Sequence, residues 1–150
     1  SAHQGLREYQ APVEYGRSEI IRKGKKIAVL GVGSMIPSCM EICKGLKDDG
    51  YDPTFVNARF VKPLDVDLLD ELAKDHSLFV TVEENVKSGG YGEHVSAYME
   101  ACHPEIRVLS AAVWDRFVPQ GNVESLRSRI GLGVEDIRQA IEDSEELREQ

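Results

Sequence analysis

A chain of 150 residues, 41% apolar and 29% charged, is long enough to form one domain that buries roughly two-thirds of its unfolded surface without a disulfide or metal staple. No apolar run approaches the ~20 residues of a membrane helix and no export signal is present, so a soluble cytoplasmic protein is expected. A net charge of −8 with scattered Lys and Arg excludes a partner held by its phosphate backbone.

Residues 1–15 are polar and turn-rich without a sustained period, which reads as an interdomain linker or arm ahead of one domain over 16–150. A linker at the very start suggests a piece of something longer. Ser18–Ile21 and Ile27–Leu30 read as two strands of a hairpin. The basic run Arg22-Lys23-Gly24-Lys25-Lys26 is then a solvated hairpin turn, with an anion site as the alternative.

Gly31-Val32-Gly33 turns the chain into a helix whose Cys39, Ile42, Cys43 and Leu46 recur at i, i+3, i+4, i+7 and which ends at Gly50. Thr54–Asn57 is the next strand. Pro63 and Asp65 open a second helix, Asp65 as N-cap and Leu64 stapled to Leu69, with Leu69, Leu72 and Ala73 buried.

Leu78–Val82 is unbroken apolar, as in a strand covered on both faces. A third helix follows the glycine turn and aligns Tyr91, Val95, Tyr98, Met99 and Cys102 on one side. Ile106–Leu109 is a further strand. Asn122 is positioned to cap a short helix with Val123, Leu126 and Ile130 inward, closed by Gly131. Val134, Ile137 and Ile141 carry the last helix, whose acidic end, Glu142–Gln150, is expected to fray.

Strands alternating with helices imply right-handed crossovers and a three-layer α/β/α domain. Its sheet is a mostly parallel set of five strands with one antiparallel edge member. The three cysteines cannot all pair and fall at apolar helical positions, so reduced core thiols are expected. No metal-ligand spacing accompanies them.

Gly31-Val32-Gly33 invites a dinucleotide reading, but Ile36 stands where the third glycine belongs. A tight strand-to-helix turn explains the glycines, although an anion could still sit on the helix start at Gly33 and Ser34. Glu83 and Glu84 resemble a catalytic pair only until strand geometry is considered, because consecutive strand residues point to opposite faces. A buried or interface-paired carboxylate beside the amides of the glycine loop is the better reading.

No serine or cysteine nucleophile is placed with one of the four histidines and an orienting acid. No catalytic, cofactor-binding or metal-binding residue is therefore assigned. Gly33, Ser34, Glu83, Glu84, Asn85, Gly89, Gly90, Trp114 and Asp115 remain as residues of an interface or anion site.

Four segments in order, Ala58–Asp65, Thr81–Asn85, Ser88–Gly92 and Trp114–Val118, resemble the C-terminal domain of the 1-deoxy-D-xylulose-5-phosphate synthases, transketolase-like thiamine-diphosphate enzymes. The resemblance runs from about Tyr15 to Ile141. More distantly, the chain is similar to the C-terminal domains of transketolases and of pyruvate-dehydrogenase β subunits. One departure is Gln120, where relatives frequently carry histidine, so no histidine role transfers to that position.

The resemblance implies an enzyme of isoprenoid and thiamine biosynthesis that condenses pyruvate with glyceraldehyde 3-phosphate and releases carbon dioxide. It implies that thiamine diphosphate and magnesium are held by the N-terminal and middle domains. The third domain then completes the architecture and a homodimer, without activity of its own. A free-standing anion- or nucleotide-binding domain and a docking module working through Trp114 are the alternatives.

Overall fold

A computed structural model describes residues 15–59, 63–84, 90–113, 129–130 and 133–149. Its strands are β1 (Glu19–Arg22), β2 (Lys26–Gly31), β3 (Thr54–Asn57), β4 (His76–Glu84), β5 (Arg107–Val113) and the two-residue β6 (Arg129–Ile130). The helices are α1 (Ile36–Asp48, after a 3-10 turn over Gly33–Met35), α2 (Val66–Leu72), α3 (Tyr91–Cys102) and α4 (Val134–Glu149).

The sheet order is β1-β3-β2-β4-β5-β6, with β1 antiparallel to β3 and every other pair parallel. Five strands of four residues or more thus form the expected mostly parallel sheet with one antiparallel edge, and β6 extends its far side. Period-two alternation divides the core between two faces. Ile27, Val29, Leu78, Val80 and Val82 meet Cys39, Ile42, Cys43 and Leu46 of α1 and Ile137 and Ile141 of α4. Ala28, Leu30, Val56 and Phe79 meet Leu69 and Leu72 of α2 and Tyr91, Val95 and Met99 of α3.

This division follows from crossover handedness. The step from β2 to β3 runs one way across the sheet, whereas β3 to β4 and β4 to β5 run the other way. Right-handed connections must then place α1 on one face and α2 and α3 on the opposite face. Asp65 caps α2 as expected, its Oδ1 accepting Leu68 N at 3.2 Å. Leu64 packs into the same cluster as Leu69.

The expected hairpin does not form, since β1 pairs with β3 rather than β2. Both edges of β2 are taken by parallel partners, which leaves the outer edge of β3 for β1. The basic turn therefore crosses the start of β3. There Arg22 Nη1 donates to Pro53 O at 2.7 Å and Lys25 N to Asp52 O at 2.8 Å. A Cβ on Gly24 would lie 2.2 Å from Asp52 O, so only glycine allows this crossing.

Three further expectations change. Ile130 lies in β6, parallel to β5 with Ala111 opposite, rather than in a helix: the free edge of β5 offers ladder bonds that an extended segment can satisfy. The rest of the proposed Asn122 helix lies outside the described residues. The acidic end is helical to Glu149, and Glu142 and Glu145 are buried, because α4 lies against the sheet and its arginines pair with them. Arg138 Nη1 bonds Glu142 at 2.7 Å, and burial together with neighbouring Asp49 pushes the Glu142 carboxyl up.

Cys102 is exposed at the end of α3, while Cys39 and Cys43 are buried and free. Tyr91, Val95 and Met99 define the buried stripe of α3, and Cys102 falls beyond it. Burial raises both inner thiols, that of Cys43 to about 12, so neither is a thiolate at neutral pH.

Candidate functional site

Neighbouring strands β2 and β4 send their chains to opposite faces, β2 into α1 and β4 into α3. A crevice forms at such a reversal, outside the C-terminal ends of the strands, where open α/β sheets place ligands and contacts. Gly33, Ser34, Glu83, Glu84 and Gly90 all lie there.

Strand β4 continues through Glu84, so its two glutamates do point to opposite faces. Glu83 is 9% exposed and faces α3. Its Oε1 accepts Tyr91 N at 3.1 Å and its Oε2 accepts Gly92 N at 2.7 Å. Gly90, the N-cap residue of α3, has no side chain to satisfy those amides, so a carboxylate from the sheet does so and also meets the positive end of the helix dipole.

The fit is close. A Cβ on Gly92 would lie 2.7 Å from both Glu83 Oε2 and Thr81 Oγ1 and 3.1 Å from Ser110 Oγ, which no packed side chain tolerates. Tyr91 beside it is buried, and burial, then the charges of Asp65 and Glu83, raise its phenol. With both oxygens bonded to amides, the Glu83 carboxylate is committed to holding the start of α3.

Glu84 is exposed on the other face and accepts the Ser34 hydroxyl at 3.0 Å. Ser34 belongs to the 3-10 turn that follows Val32, with Gly33 at φ 51°. The start of α1 is poor in free donors. Met35 N is bonded to Val32 O and Ile36 N to Gly33 O, and Pro37 has no N–H. The structure thus brings Gly33 and Ser34 to Glu84, and Glu83 to the helix that follows Gly90; Asn85, Gly89, Trp114 and Asp115 lie outside the described residues.

A second polar group near this end was not anticipated. Asp65 Oδ2 accepts Ser18 N at 2.7 Å, Ser18 Oγ donates to Ala58 O at 3.0 Å, and Arg59 pairs with Glu19 at 3.2 Å. Arg59 holds φ 61°, the left-handed region, just after β3. Asp65 was recognisable as a cap, but its bond to Ser18 spans 47 residues and leaves no local pattern.

Among the described histidines, His94 sits in the first turn of α3 near Glu83, its Nε2 buried without a hydrogen-bond partner among the described residues, whereas His76 and His103 serve the opposite end of the sheet or its surface. His76 opens β4 with its ring buried, Nε2 2.7 Å from Thr54 Oγ1 and Nδ1 2.8 Å from Leu72 O and 2.6 Å from Asp75 Oδ1. Leu72 O and the Asp75 carboxylate can only accept, so Nδ1 carries the ring proton and Thr54 Oγ1, which accepts Gly24 N at 2.8 Å, donates its own to Nε2. His103 and Tyr98 share exposed Asp70, each at 2.7 Å. None of these adjoins a buried thiol, and among the described residues no three His, Cys, Asp or Glu side chains are grouped to hold a metal.

Comparison with known proteins gives the same architecture. Residues 16–137 match the family described as Transketolase, C-terminal domain. The chain is 38% identical over 138 residues to 1-deoxy-D-xylulose-5-phosphate synthase of Lachnoclostridium phytofermentans and 39% identical over 137 residues to that of Dictyoglomus thermophilum, covering 91% of this chain and 22% of the relative in each case. The synthase of Nitrosomonas europaea is 38% identical over 92% of this chain and again 22% of its own.

Among solved structures, one titled "Split gene transketolase, inactive beta4 tetramer" superimposes with a TM-score of 0.71 at 29% identity, covering 89% of this chain and 43% of that one. The chain therefore spans less than a quarter of the synthases it matches. With the family matched from the first strand into the last helix, the chain belongs to the transketolase C-terminal domain family.

Proposed function

We propose that this domain works as the C-terminal part of a thiamine-diphosphate-dependent 1-deoxy-D-xylulose-5-phosphate synthase, which joins pyruvate to glyceraldehyde 3-phosphate in the cytoplasm. The observation that carries this reading is the match over nine-tenths of the chain to synthases of which it makes up about a fifth. Residues 1–15 then link to the upstream domains, which hold the cofactor and magnesium.

The domain itself contributes a surface and no chemistry. Its strand-end carboxylates support that role: Glu83 already occupies the seat at the start of α3 that a bound anion would take, and Ser34 and Glu84 tie the facing loop. The edge of Gly33, Ser34, Glu84 and Gly90 is the surface that packs on the upstream domains and assists a homodimer. The solved structure titled as an inactive tetramer of a split-gene transketolase offers a parallel for a piece that is inactive by itself.

The test is an assay of purified chain with pyruvate, glyceraldehyde 3-phosphate, thiamine diphosphate and magnesium, alone and with the upstream domains added in trans. Product only in the mixture supports the proposal. Turnover by the chain alone, or tight thiamine-diphosphate binding to it, refutes it.

A further inference from the structure

The chain enters its first strand through a short segment that is held more firmly than an incoming connection needs. It turns at Tyr15 and Gly16, with Gly16 buried at φ 76°. A Cβ on Gly16 would lie 2.8 Å from Pro63 Cγ, so the backbone runs directly over that ring. Arg17 Nη1 then reaches Asp67 at 2.9 Å and Asp65 at 3.7 Å. Ser18 N donates to Asp65 Oδ2 at 2.7 Å and Ser18 Oγ to Ala58 O at 3.0 Å, and Glu19 closes the set on Arg59 at 3.2 Å.

Neither neighbouring element requires the contacts of residues 16–18. The cap of α2 is complete with Asp65 Oδ1 alone, which accepts Leu68 N, and the ladder between β1 and β3 begins only at Glu19, opposite Asn57. Yet the second oxygen of a carboxyl group only 8% exposed is committed to Ser18. A shielded, charge-assisted bond of this kind is a strong polar contact, whereas the exposed Arg17 pair adds little. Together they hold the incoming chain to one path.

That path has a direction. Because β1 runs antiparallel to β3, its first residue lies beside the last of β3, at the C-terminal ends of the parallel strands. Ser34 and Glu84 lie at the same end. Asp65 links the two regions, for its charge, after burial, is the next cause that raises the phenol of Tyr91 at the start of α3.

We propose that residues 16–19 are a strap that fixes where the preceding chain enters the domain, so that protein joined through residues 1–15 is delivered to the strand-end edge rather than tethered freely. The partner is the upstream part of the same polypeptide, and the inference rests on the reading of this chain as the C-terminal part of a longer enzyme. Asp65 is a positioning residue here, acting through Ser18.

Two substitutions release the strap without unmaking the helix. Asparagine caps a helix as well as aspartate does, so Asp65→Asn keeps the bond to Leu68 N but turns a donor amide toward Ser18 N. Ser18→Ala removes the bond to Ala58 O. In the ¹⁵N-labelled 150-residue chain, the wild-type amides of Arg17 and Ser18 should be as ordered by relaxation as those of β1. Asp65→Asn with Ser18→Ala should speed exchange at residue 18 about tenfold or more while leaving that at Leu68 unchanged.

The second measurement compares upstream domains joined covalently ahead of Ser1 with the same domains added in trans. The double variant should lower product formation about fivefold or more in the joined protein and leave the mixture unchanged, because only a joined linker needs a direction. Equal loss in both arrangements, no loss in the joined protein, or a mobile Ser18 in the wild-type chain would each overturn the proposal. Absence of product from the joined wild type would refute the reading it rests on, and delivery with it, while the order of Ser18 in the isolated chain is measured separately.

Discussion

The two ends of the central sheet are both closed by polar side chains, but with opposite chemistry. At the C-terminal end the closing group is an anion, Glu83, held by two amides of α3. At the N-terminal end it is a neutral chain running from Gly24 N through Thr54 Oγ1 to His76 and on to Leu72 O. The first end meets a helix start, whose partial positive charge demands an acceptor with charge; the second joins a turn, two strands and a helix end, whose donors and acceptors balance without one. A buried charge fixes geometry against removal, whereas a neutral relay fails when a proton is added to it.

The largest effect should come from removing the anion. Glu83→Ala leaves two amides at the start of α3 unbonded beneath the helix and is expected to cost about 3–6 kcal/mol, two charge-assisted bonds at about 1.5–3 kcal/mol each. Urea unfolding at neutral pH measures it, and a loss below about 1 kcal/mol would mean that water replaces the carboxylate freely. Gly92→Ala attacks the same contact from the helix side. Its methyl group has no room beside Glu83 and Thr81, and a net loss of about 1–3 kcal/mol is expected, against the gain of up to about 1 kcal/mol that helix propensity alone would give.

What could be read in advance divides along the same lines. The stripe Cys39, Ile42, Cys43 and Leu46 was legible because helical spacing and burial coincide, and Asp65 because a cap lies three residues from the amide it accepts. That one of the adjacent pair Glu83 and Glu84 is a carboxylate beside glycine-loop amides could be read from strand alternation, but that it is Glu83 comes only from its bonds to Tyr91 N and Gly92 N. Pairings that depend on the third dimension were not legible. Glu19–Arg22 looked like half of a hairpin because β2 follows it in sequence, yet β3 has the free edge. Thr54 and His76 meet across 22 residues, and Glu145 is buried in a segment whose composition resembles a solvated end.

The relay at the N-terminal end gives the next effect. Thr54→Val removes the acceptor of Gly24 N and the donor to His76 Nε2 together, and should cost about 1–2 kcal/mol by urea unfolding at about pH 7.5. Its pH dependence is more telling. Burial is the main cause that lowers the His76 pKa below its ordinary 6.5, outweighing the opposing pull of the Leu72 carbonyl and Asp75. The unfolded chain therefore takes up a proton on this ring before the folded chain does, so the relay's contribution is complete above about pH 6.5 and declines as pH falls through and below that value. Asp75, whose pKa is lowered chiefly by Lys23, adds loss in the same direction only below the ordinary carboxylate range. His76→Gln should flatten the stability profile between about pH 6.5 and 5; an unchanged slope would place the sensitivity elsewhere.

The smallest effect on stability is expected where the effect on assembly should be greatest. Ser34 and Glu84 are both exposed, and their 3.0 Å bond lies on the surface rather than under a helix. Exposed pairs of this kind contribute little to folding, so Ser34→Ala and Glu84→Ala should each shift the unfolding free energy by about 0.5 kcal/mol or less. On the proposed role of this edge in packing on upstream domains, the pair orders the loop before α1, so the same substitutions should weaken association of the chain with those domains in trans, read by calorimetry. Glu83→Gln, which keeps one good acceptor in the buried seat, serves as the counterpart: it should lower stability more than either surface variant while leaving association of the folded fraction unchanged. If all three variants altered folding and association in equal proportion, the distinction between a carboxylate that builds the edge and one that presents it would not hold.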